Sequence, residues 1–306
     1  MSEITASDVK ALRERSGAGM MDCKKALVEC EGDIEKAVDY LRKKGLSTAA
    51  KKASRVAAEG LIGVHVDGTK GTIVEVNAET DFVARNETFQ NFVKKVVEIA
   101  SAKNCDLETL KTADYGNGHT VSEETVNLIA TIRENIELRR VSYMTVDNGI
   151  VASYVHNKIS DGLGKIGVLV GIESTGDKAK LMELGKQIAM HIAAANPLST
   201  SVDDLDPAVV ERERAVVTEQ AKNSGKKPEF IDKIVEGRLR KFYEDAVLLE
   251  QVFVIDGETR VKDVVAAASK ELGTPVKVKG FYKFVLGEGI EKQVVDFAAE
   301  VAAQLS

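Results

Sequence analysis

The chain has 306 residues, 44% of them hydrophobic and 29% charged, which predicts two or three folded domains and excludes wholesale disorder. Its formal net charge of −6 argues against nucleic acid as the main partner. No apolar run approaches the ~20 residues of a membrane-spanning helix, and the first residues lack the apolar core of a secretory signal. Three cysteines without metal-ligand spacing are typical of a reduced protein, so we expect a cytoplasmic protein with no membrane partner.

Residues 1–45 predict three short helices that share a very small core. The second helix carries apolar residues at the spacing of one helix face, at Cys23, Ala26, Leu27 and Cys30. Residues 42–55 then contain six basic residues and no acid. This composition is typical of a solvated linker with cations at a helix C-terminus, and contact with RNA or an acidic protein surface is the alternative. We favour the linker, and a unit this small is typical of a specialised binding domain.

The hydrophobic period changes to two from residue 61, which predicts a β-hairpin over 62–76 with its turn at 67–71. A helix is expected at 87–101, with Asn86 as its N-cap, and another at 123–138, separated by a loop or short insertion at 102–122.

The hairpin–helix order then recurs in the second half of the chain. Strands are predicted at 150–156 and 166–172, and a helix at 178–195. We interpret this recurrence as a weak internal duplication that gives an α+β core of two similar parts with antiparallel sheets.

Residues 206–245 interrupt the second part with two amphipathic helices of balanced charge, which is typical of an exposed antiparallel helical hairpin. Strand-like sequence returns at 252–255 and 276–286, and a helix is predicted at 290–304. The expected domains are a three-helix unit with a basic linker at 1–55, a first core part at 56–142, a second core part at 143–197 and 246–284, a helical hairpin at 198–245 and a C-terminal helix module at 285–306.

Catalytic apparatus is hard to find in this sequence. The four histidines are scattered without a metal-ligand spacing, and neither common phosphate-loop pattern is present. The glycines at Gly287 and Gly289 flank an acid, which makes a poor anion cradle. We therefore expect a binding protein with no catalytic residue, no cofactor, no metal and no direct nucleotide binding.

The segment from Glu79 to Asn86 joins the first hairpin to its helix and contains the unusual sequence Thr80-Asp81-Phe82-Val83. One interpretation is structural, with Thr80 or Asp81 capping a helical turn and Phe82 folded into the core. The corresponding junction of the second part, at 173–177, has no aromatic residue, although the same fold is expected there. This comparison favours a functional role for Phe82.

Met20 and Met21 form a second candidate surface, within the sequence Gly17–Leu27 that also contains Lys24. Two adjacent methionines cannot both face a small helical core, so we expect at least one to be exposed. Exposed methionine is an adaptable contact surface for a partner helix. The alternative is that Met20 packs on the linker.

Three sequence motifs, LRERSGAGMMDCKKAL, TDFVARNETF and HIAAANP, resemble the bacterial elongation factor Ts family, the guanine nucleotide exchange factors of elongation factor Tu. The resemblance runs from end to end of the chain. It implies that the N-terminal helices form a domain similar to ubiquitin-associated domains, that the helical hairpin is a coiled coil, and that elongation factor Tu is the partner.

The resemblance also assigns roles to particular residues. The family inserts its TDFV motif near the magnesium site of the partner, so it implies partner-binding and magnesium-displacing roles for Thr80, Asp81, Phe82 and Val83. The N-terminal domain of the family docks on the nucleotide-binding domain of the partner, which implies contacts for Met20, Met21 and Lys24. A histidine of the second core part makes a further contact in the family, and His156 matches it.

Several alternatives stay open. The chain could be an adaptor with a domain similar to ubiquitin-associated domains, a translation factor that binds RNA through residues 42–55, or an enzyme whose site has no familiar pattern. The helical hairpin serves self-association in some members of the family, so both a monomer and a homodimer through this hairpin are compatible with the sequence.

Overall fold

The computed structural model of the chain describes residues 4–116, 118–223 and 228–291. Helices and antiparallel sheets coexist in this part, which confirms the α+β class. The helices are α1 (Ala6–Ser16), α2 (Met20–Glu29), α3 (Ile34–Lys52), α4 (Glu87–Lys103), α5 (Leu107–Thr112), α6 (Val121–Ile132), α7 (Lys178–Ala195), α8 (Pro207–Asn223), α9 (Pro228–Ala246) and α10 (Val261–Leu272). The strands are β1 (Glu59–Asp67), β2 (Lys70–Ala78), β3 (Asp114–Gly116), β4 (His119–Thr120), β5 (Ile136–Thr145), β6 (Gly149–His156), β7 (Leu163–Gly164), β8 (Ile166–Glu173) and β9 (Lys277–Val285).

Helices α1, α2 and α3 form the N-terminal unit around a small buried cluster. Its buried members are Leu12, Cys23, Ala26, Leu27, Ala37 and Leu41. Helix α3 continues to Lys52, so most of the basic stretch is helical and does not form a linker that begins at residue 42. Helix α3 packs on α6 at Gly45, where a Cβ atom would lie 3.3 Å from a methyl group of Val126.

The first core part is a four-stranded antiparallel sheet in the order β5-β2-β1-β7, with α4 packed on one face. Helix α4 begins at the predicted N-cap, since the Asn86 side chain accepts a hydrogen bond from the Phe89 amide. Its apolar stripe fits the sheet because Phe89, Phe92, Val93, Val96 and Val97 recur at helical spacing and are all buried.

The second core part is a three-stranded antiparallel sheet in the order β6-β8-β9, covered by α7 and α10. The two sheets pack against each other through a separate cluster whose buried members are Ile62, Val64, Ile73, Met144, Val146, Val151, Leu169 and Phe284. The central strands are therefore buried on both faces. Close packing requires Gly71 and Gly167 there, since a Cβ atom at either would lie within 3.0 Å of side chains from the other sheet.

Three further sequence-based assignments were wrong. The helix predicted at 123–138 ends at Ile132 because Arg133 adopts the left-handed conformation, and the chain continues as strand β5. The loop expected at 102–122 contains α5 and the small β3–β4 hairpin. Residues 252–255 do not form a strand, because the Val254 amide donates to a histidine side chain and the Phe253 carbonyl closes a turn with Gly257.

Helices α8 and α9 form the predicted helical hairpin around a small cluster of Val217, Ala221, Val235 and Leu239. Within the described ranges, no helix combines the length and apolar character needed to cross a membrane. The helix predicted at 290–304 lies, beyond Glu291, outside the described residues.

Candidate functional site

An exposed aromatic side chain stands at the junction between β2 and α4. Phe82 has 78% of its surface exposed, and no other large hydrophobic side chain of the described residues has a larger exposed fraction. Asp81 beside it is exposed as well. The structure thus excludes the interpretation in which Phe82 folds into the core. We call the segment Glu79–Asn86 the Phe82 turn.

The C-terminal side of the Phe82 turn is anchored in the core. Val83 and Ala84 are 4% and 3% exposed and belong to the cluster beneath α4, so the Val83 side chain is not part of the exposed surface. Residues Val83–Arg85 form a single 3₁₀ turn, in which the Phe82 carbonyl accepts a hydrogen bond from the Arg85 amide at 3.1 Å. The Gln90 side chain donates to the Ala84 carbonyl at 3.0 Å. These contacts fix the backbone directly after Phe82.

The N-terminal side is held by the segment that joins α6 to β5. One carboxylate oxygen of Glu134 accepts the Thr80 amide at 2.9 Å, and the other accepts the Thr80 hydroxyl at 2.6 Å. The Glu79 carboxylate accepts the Asn135 amide at 2.6 Å and lies 3.4 Å from the Arg55 guanidinium. Neither Thr80 nor Asp81 caps the 3₁₀ turn, so the capping interpretation is wrong.

These two anchors explain why Phe82 remains exposed. A phenylalanine next to an apolar core would ordinarily gain roughly 1.5–3 kcal/mol by entering it. Here the residues on both sides are fixed by hydrogen bonds and by burial, so the turn presents the Phe82 ring outward in a defined position. An aromatic ring on a fixed support is suited to insertion into a partner, because little conformational entropy is lost on binding.

The methionines of α2 form the second exposed apolar surface. Met20 and Met21 are 60% and 66% exposed, so the expectation that at least one would be exposed is confirmed and extends to both. Lys24 is exposed on the same helix. The intervening Asp22 is tied to α3, and the hydrogen bond from Lys44 at 2.8 Å is the main reason why the pKa of its carboxyl is lowered.

Helix α6 links the N-terminal unit to the Phe82 turn. Arg42 of α3 forms an ion pair with Glu123 of α6 at 2.7 Å, and the Arg15 carbonyl lies 3.2 Å from Nε2 of His119. At the other end of α6, Arg133 lines a cleft together with Asp22 of α2. The next residue in the chain is Glu134, which holds the Phe82 turn, so α6 contacts the N-terminal unit and leads directly into a support of the turn.

His156 lies apart from these two surfaces, at the exposed end of β6 in the second core part. Its Nδ1 atom is 3.2 Å from the Tyr154 hydroxyl, and its carbonyl accepts the Lys165 amide at 3.2 Å. Among the described residues, its side chain contacts Tyr154 and touches neither α2 nor the Phe82 turn.

Sequence reasoning missed the residues that support the turn. Glu134 is 54 positions from Thr80, and no local pattern connects them. It also missed Glu75, a fully buried carboxylate, although two adjacent arginines in a neighbouring strand, Arg139 and Arg140, would have been a usable signal.

The described residues contain no group of three or more His, Cys, Asp and Glu side chains that could hold a metal ion. The exposed groups of the candidate surfaces are an aromatic ring, two thioethers, a carboxylate and an ammonium group. Such groups can bind another macromolecule by burial and by charge.

Comparisons with known proteins agree with this description. The sequence model of a family described as Elongation factor TS matches residues 79–288, which is more than half of the chain. The chain is 60% identical over 304 residues to the Elongation factor Ts of Rhodospirillum centenum, with 99% of each protein covered. It is 59% identical over 307 residues to that of Rhodospirillum rubrum, covering 100% of this chain and 99% of the relative. It is 56% identical over 303 residues to that of Zymomonas mobilis, covering 99% of both.

Proposed function

The chain belongs to the elongation factor Ts family of translation elongation factors, and from that premise we propose that it binds elongation factor Tu carrying GDP and accelerates the release of the nucleotide. The proposed site of action is the magnesium and phosphate region of the partner. Exchange of GTP for GDP follows once the site is empty. This activity belongs to the cytoplasm, where elongation takes place.

The observation that supports this proposal most directly is the exposed Phe82 ring on its anchored turn. In the proposed mechanism the ring enters between helices of the partner and displaces the elements that hold the magnesium ion. Asp81 brings a negative charge toward the same region. A carboxylate there disfavours the arrangement in which the metal bridges the phosphates, because it competes for the metal and repels the phosphate charge.

The energies show that Phe82 cannot act alone. A GTPase that holds GDP at nanomolar affinity gains about 12 kcal/mol from binding it. Burial of one phenylalanine contributes roughly 1.5–3 kcal/mol, which corresponds to a factor of about ten to a few hundred. Additional affinity for the empty partner must come from other surfaces, and we propose that Met20, Met21, Lys24 and His156 supply part of it.

Exchange by this mechanism requires no covalent step. Because coupling between two ligands is reciprocal, a chain that binds the empty partner more tightly than the occupied partner must weaken nucleotide binding by the same factor. A fixed exposed ring together with exposed methionines elsewhere on the chain supports such differential binding.

The test uses purified elongation factor Tu loaded with fluorescent GDP and chased with unlabelled GDP. We expect substoichiometric amounts of the chain to accelerate release at least a hundredfold, with multiple turnovers per molecule. Binding of the chain to the partner should also weaken as free GDP is raised. Release at the spontaneous rate would contradict the proposal and favour the adaptor interpretation, whereas strongly salt-dependent RNA binding would favour the RNA-binding interpretation.

A further inference from the structure

We propose that Glu134 is a positioning residue for nucleotide exchange, in that its carboxylate fixes Thr80 and thereby holds Phe82 in the orientation that enters the partner. This inference rests on the proposed function and assigns a role to a residue outside the two candidate surfaces. Glu134 lies at the α6–β5 junction and is only partly exposed.

Glu134 acts on the turn through two hydrogen bonds to a single residue. Its two carboxylate oxygens accept the Thr80 amide at 2.9 Å and the Thr80 hydroxyl at 2.6 Å. Hydrogen bonds to an ionised group are shorter and stronger than those between neutral groups. Two bonds to one residue restrict both its backbone and its side chain, so Thr80 is fixed two positions before Phe82.

The position of Glu134 itself is well defined. Arg133, the residue before it, ends α6 in the left-handed conformation. Asn135, the residue after it, is buried, donates its amide to Glu79 at 2.6 Å and donates its side-chain amide to the Arg55 carbonyl at 2.8 Å. The backbone of Glu134 is therefore fixed, so its hydrogen bonds can restrict the conformation of Thr80 in the turn.

Removal of this carboxylate should loosen the turn without unfolding it. Val83 and Ala84 would remain in the core, because their anchoring does not involve Glu134. Only the N-terminal anchor of Phe82 would be weakened, so the ring would sample more orientations. Fixing the backbone of one residue corresponds to roughly a five- to thirtyfold effect on an equilibrium, and we expect a loss of exchange of about tenfold.

The conservative replacement gives a discriminating control. In Glu134→Gln, the amide oxygen can accept the Thr80 amide and the amide NH₂ can donate to the Thr80 hydroxyl, which serves as donor or acceptor. This variant should keep at least half of the exchange rate, whereas Glu134→Ala loses both bonds. Glu137→Ala removes an exposed glutamate from the adjacent strand and serves as the matched control.

The first measurement reads the position of the ring without the partner. The sequence contains no tryptophan, so Phe82→Trp introduces a single tryptophan whose emission is selectively excited in the full chain. Time-resolved anisotropy should show a larger amplitude of local motion when Glu134→Ala is added, and no change with Glu134→Gln or Glu137→Ala. Equal amplitudes in all four proteins would overturn the proposal.

The second measurement is a double-mutant cycle in the GDP-release assay. Glu134→Ala should slow release about tenfold in the wild-type background and less than twofold in the Phe82→Ala background, because the residue acts through the ring. Equal slowing in both backgrounds would indicate a general structural effect and would overturn the proposal. Thermal unfolding of each variant confirms that it is folded. If the wild-type chain itself fails to accelerate release, the proposed function fails, and the anisotropy result separates that failure from a failure of positioning.

Discussion

His191 is a fully buried histidine that joins α7 to the segment after α9. The Val254 amide donates to its Nδ1 atom at 3.2 Å, so the ring proton lies on Nε2, which donates to the Gln251 side-chain oxygen at 2.9 Å. A second proton would have to occupy Nδ1, against the Val254 amide. Burial lowers the pKa of His191, while the Gln251 hydrogen bond opposes this effect in part. The folded protein therefore favours the neutral ring more strongly than the unfolded chain does.

This burial predicts a pH dependence of stability. Above about pH 6.5 the ring is neutral in both states and its contribution is fully present. Below that pH the unfolded chain binds a proton that the folded chain does not, so the free energy of unfolding falls by up to ~1.4 kcal/mol per pH unit until the folded-state pKa is reached. Urea unfolding between pH 5 and 7.5 measures the slope.

The matched control for His191 is a partly exposed histidine, His65 in β1. The pH slope should persist in His65→Gln and shrink in His191→Gln, whatever the absolute stability of the second variant. Identical slopes in the two variants would show that His191 is not the titrating group.

The exposure of Phe82 could be anticipated from the sequence, because the corresponding hairpin–helix junction of the second core part contains no aromatic residue. The residues that support the turn could not be anticipated in the same way. Glu134 and Asn135 reach the turn only because β5 pairs with β2 in the folded sheet, and the sequence predicted a helix at 123–138 in place of the α6–β5 junction. A site that depends on long-range contacts is visible in the sequence only through its exposed residues.

At the scale of elements, β2 and β5 are joined by the carboxylate of Glu75. It is fully buried and accepts hydrogen bonds from Arg139 at 3.0 Å, from Arg140 at 2.5 Å and from the Gly287 amide at 2.8 Å. The Arg140 guanidinium also lies 4.1 Å from the centre of the Phe284 ring. This cluster ties the turn after β9 to the first sheet and so connects the two core parts.

Glu75→Gln should destabilise the protein markedly, since it removes the buried carboxylate that both arginines share and leaves Arg140 with only the more exposed Glu288 at 3.4 Å. Removing one partner of a fully buried ion pair costs about 3–5 kcal/mol, and because both arginines are a quarter to a third exposed we expect about 2–4 kcal/mol. Urea unfolding at pH 7 measures it. Glu98→Gln, at an exposed position of α4, should change stability by less than about 0.5 kcal/mol. Similar values for the two variants would contradict the role of Glu75.

The elements that could be predicted are those with a clear hydrophobic period. Helices α4 and α7 and the β1–β2 and β6–β8 hairpins were predicted close to their observed bounds. Strand β5 was missed because no glycine or proline marks the end of α6. The helix ends just before Arg133, which adopts the left-handed conformation that glycine usually adopts at this position. Helix α10 was missed as well, and its N-cap Arg260 makes no side-chain capping bond.

At the scale of the whole molecule, the hairpin–helix order occurs in both core parts, as the internal duplication predicted. The strand pairing that joins the two core parts could not be predicted from the sequence. Strand β7 lies in the connection between β6 and β8 yet pairs with β1 of the first part, opposite Ile62 and Gly63. Such cross-pairing depends on how the two sheets stack, which no local pattern determines.

The N-terminal unit should contribute to exchange without supporting the fold of the core. Its own buried cluster is separate from the clusters of the core, which α3 touches only through the partly buried Ala49, and its docking contacts on α6 include the Arg42–Glu123 ion pair. Deletion of residues 1–52 keeps Arg55, which supports the Phe82 turn. We expect at least a tenfold loss of catalysed GDP release at limiting chain concentration, with cooperative thermal unfolding of the core retained. An unchanged rate would remove Met20, Met21 and Lys24 from the mechanism.

The central claim is that an exposed ring on a fixed turn drives nucleotide release, and the most direct measurement is GDP release from elongation factor Tu catalysed by Phe82→Ala. The matched control is Phe230→Ala, which removes another exposed phenylalanine, from the helical hairpin. We predict that Phe82→Ala slows release by a factor of about ten to a few hundred, while Phe230→Ala stays within twofold of the wild type. Release by Phe82→Ala at the rate of the wild type would contradict the account.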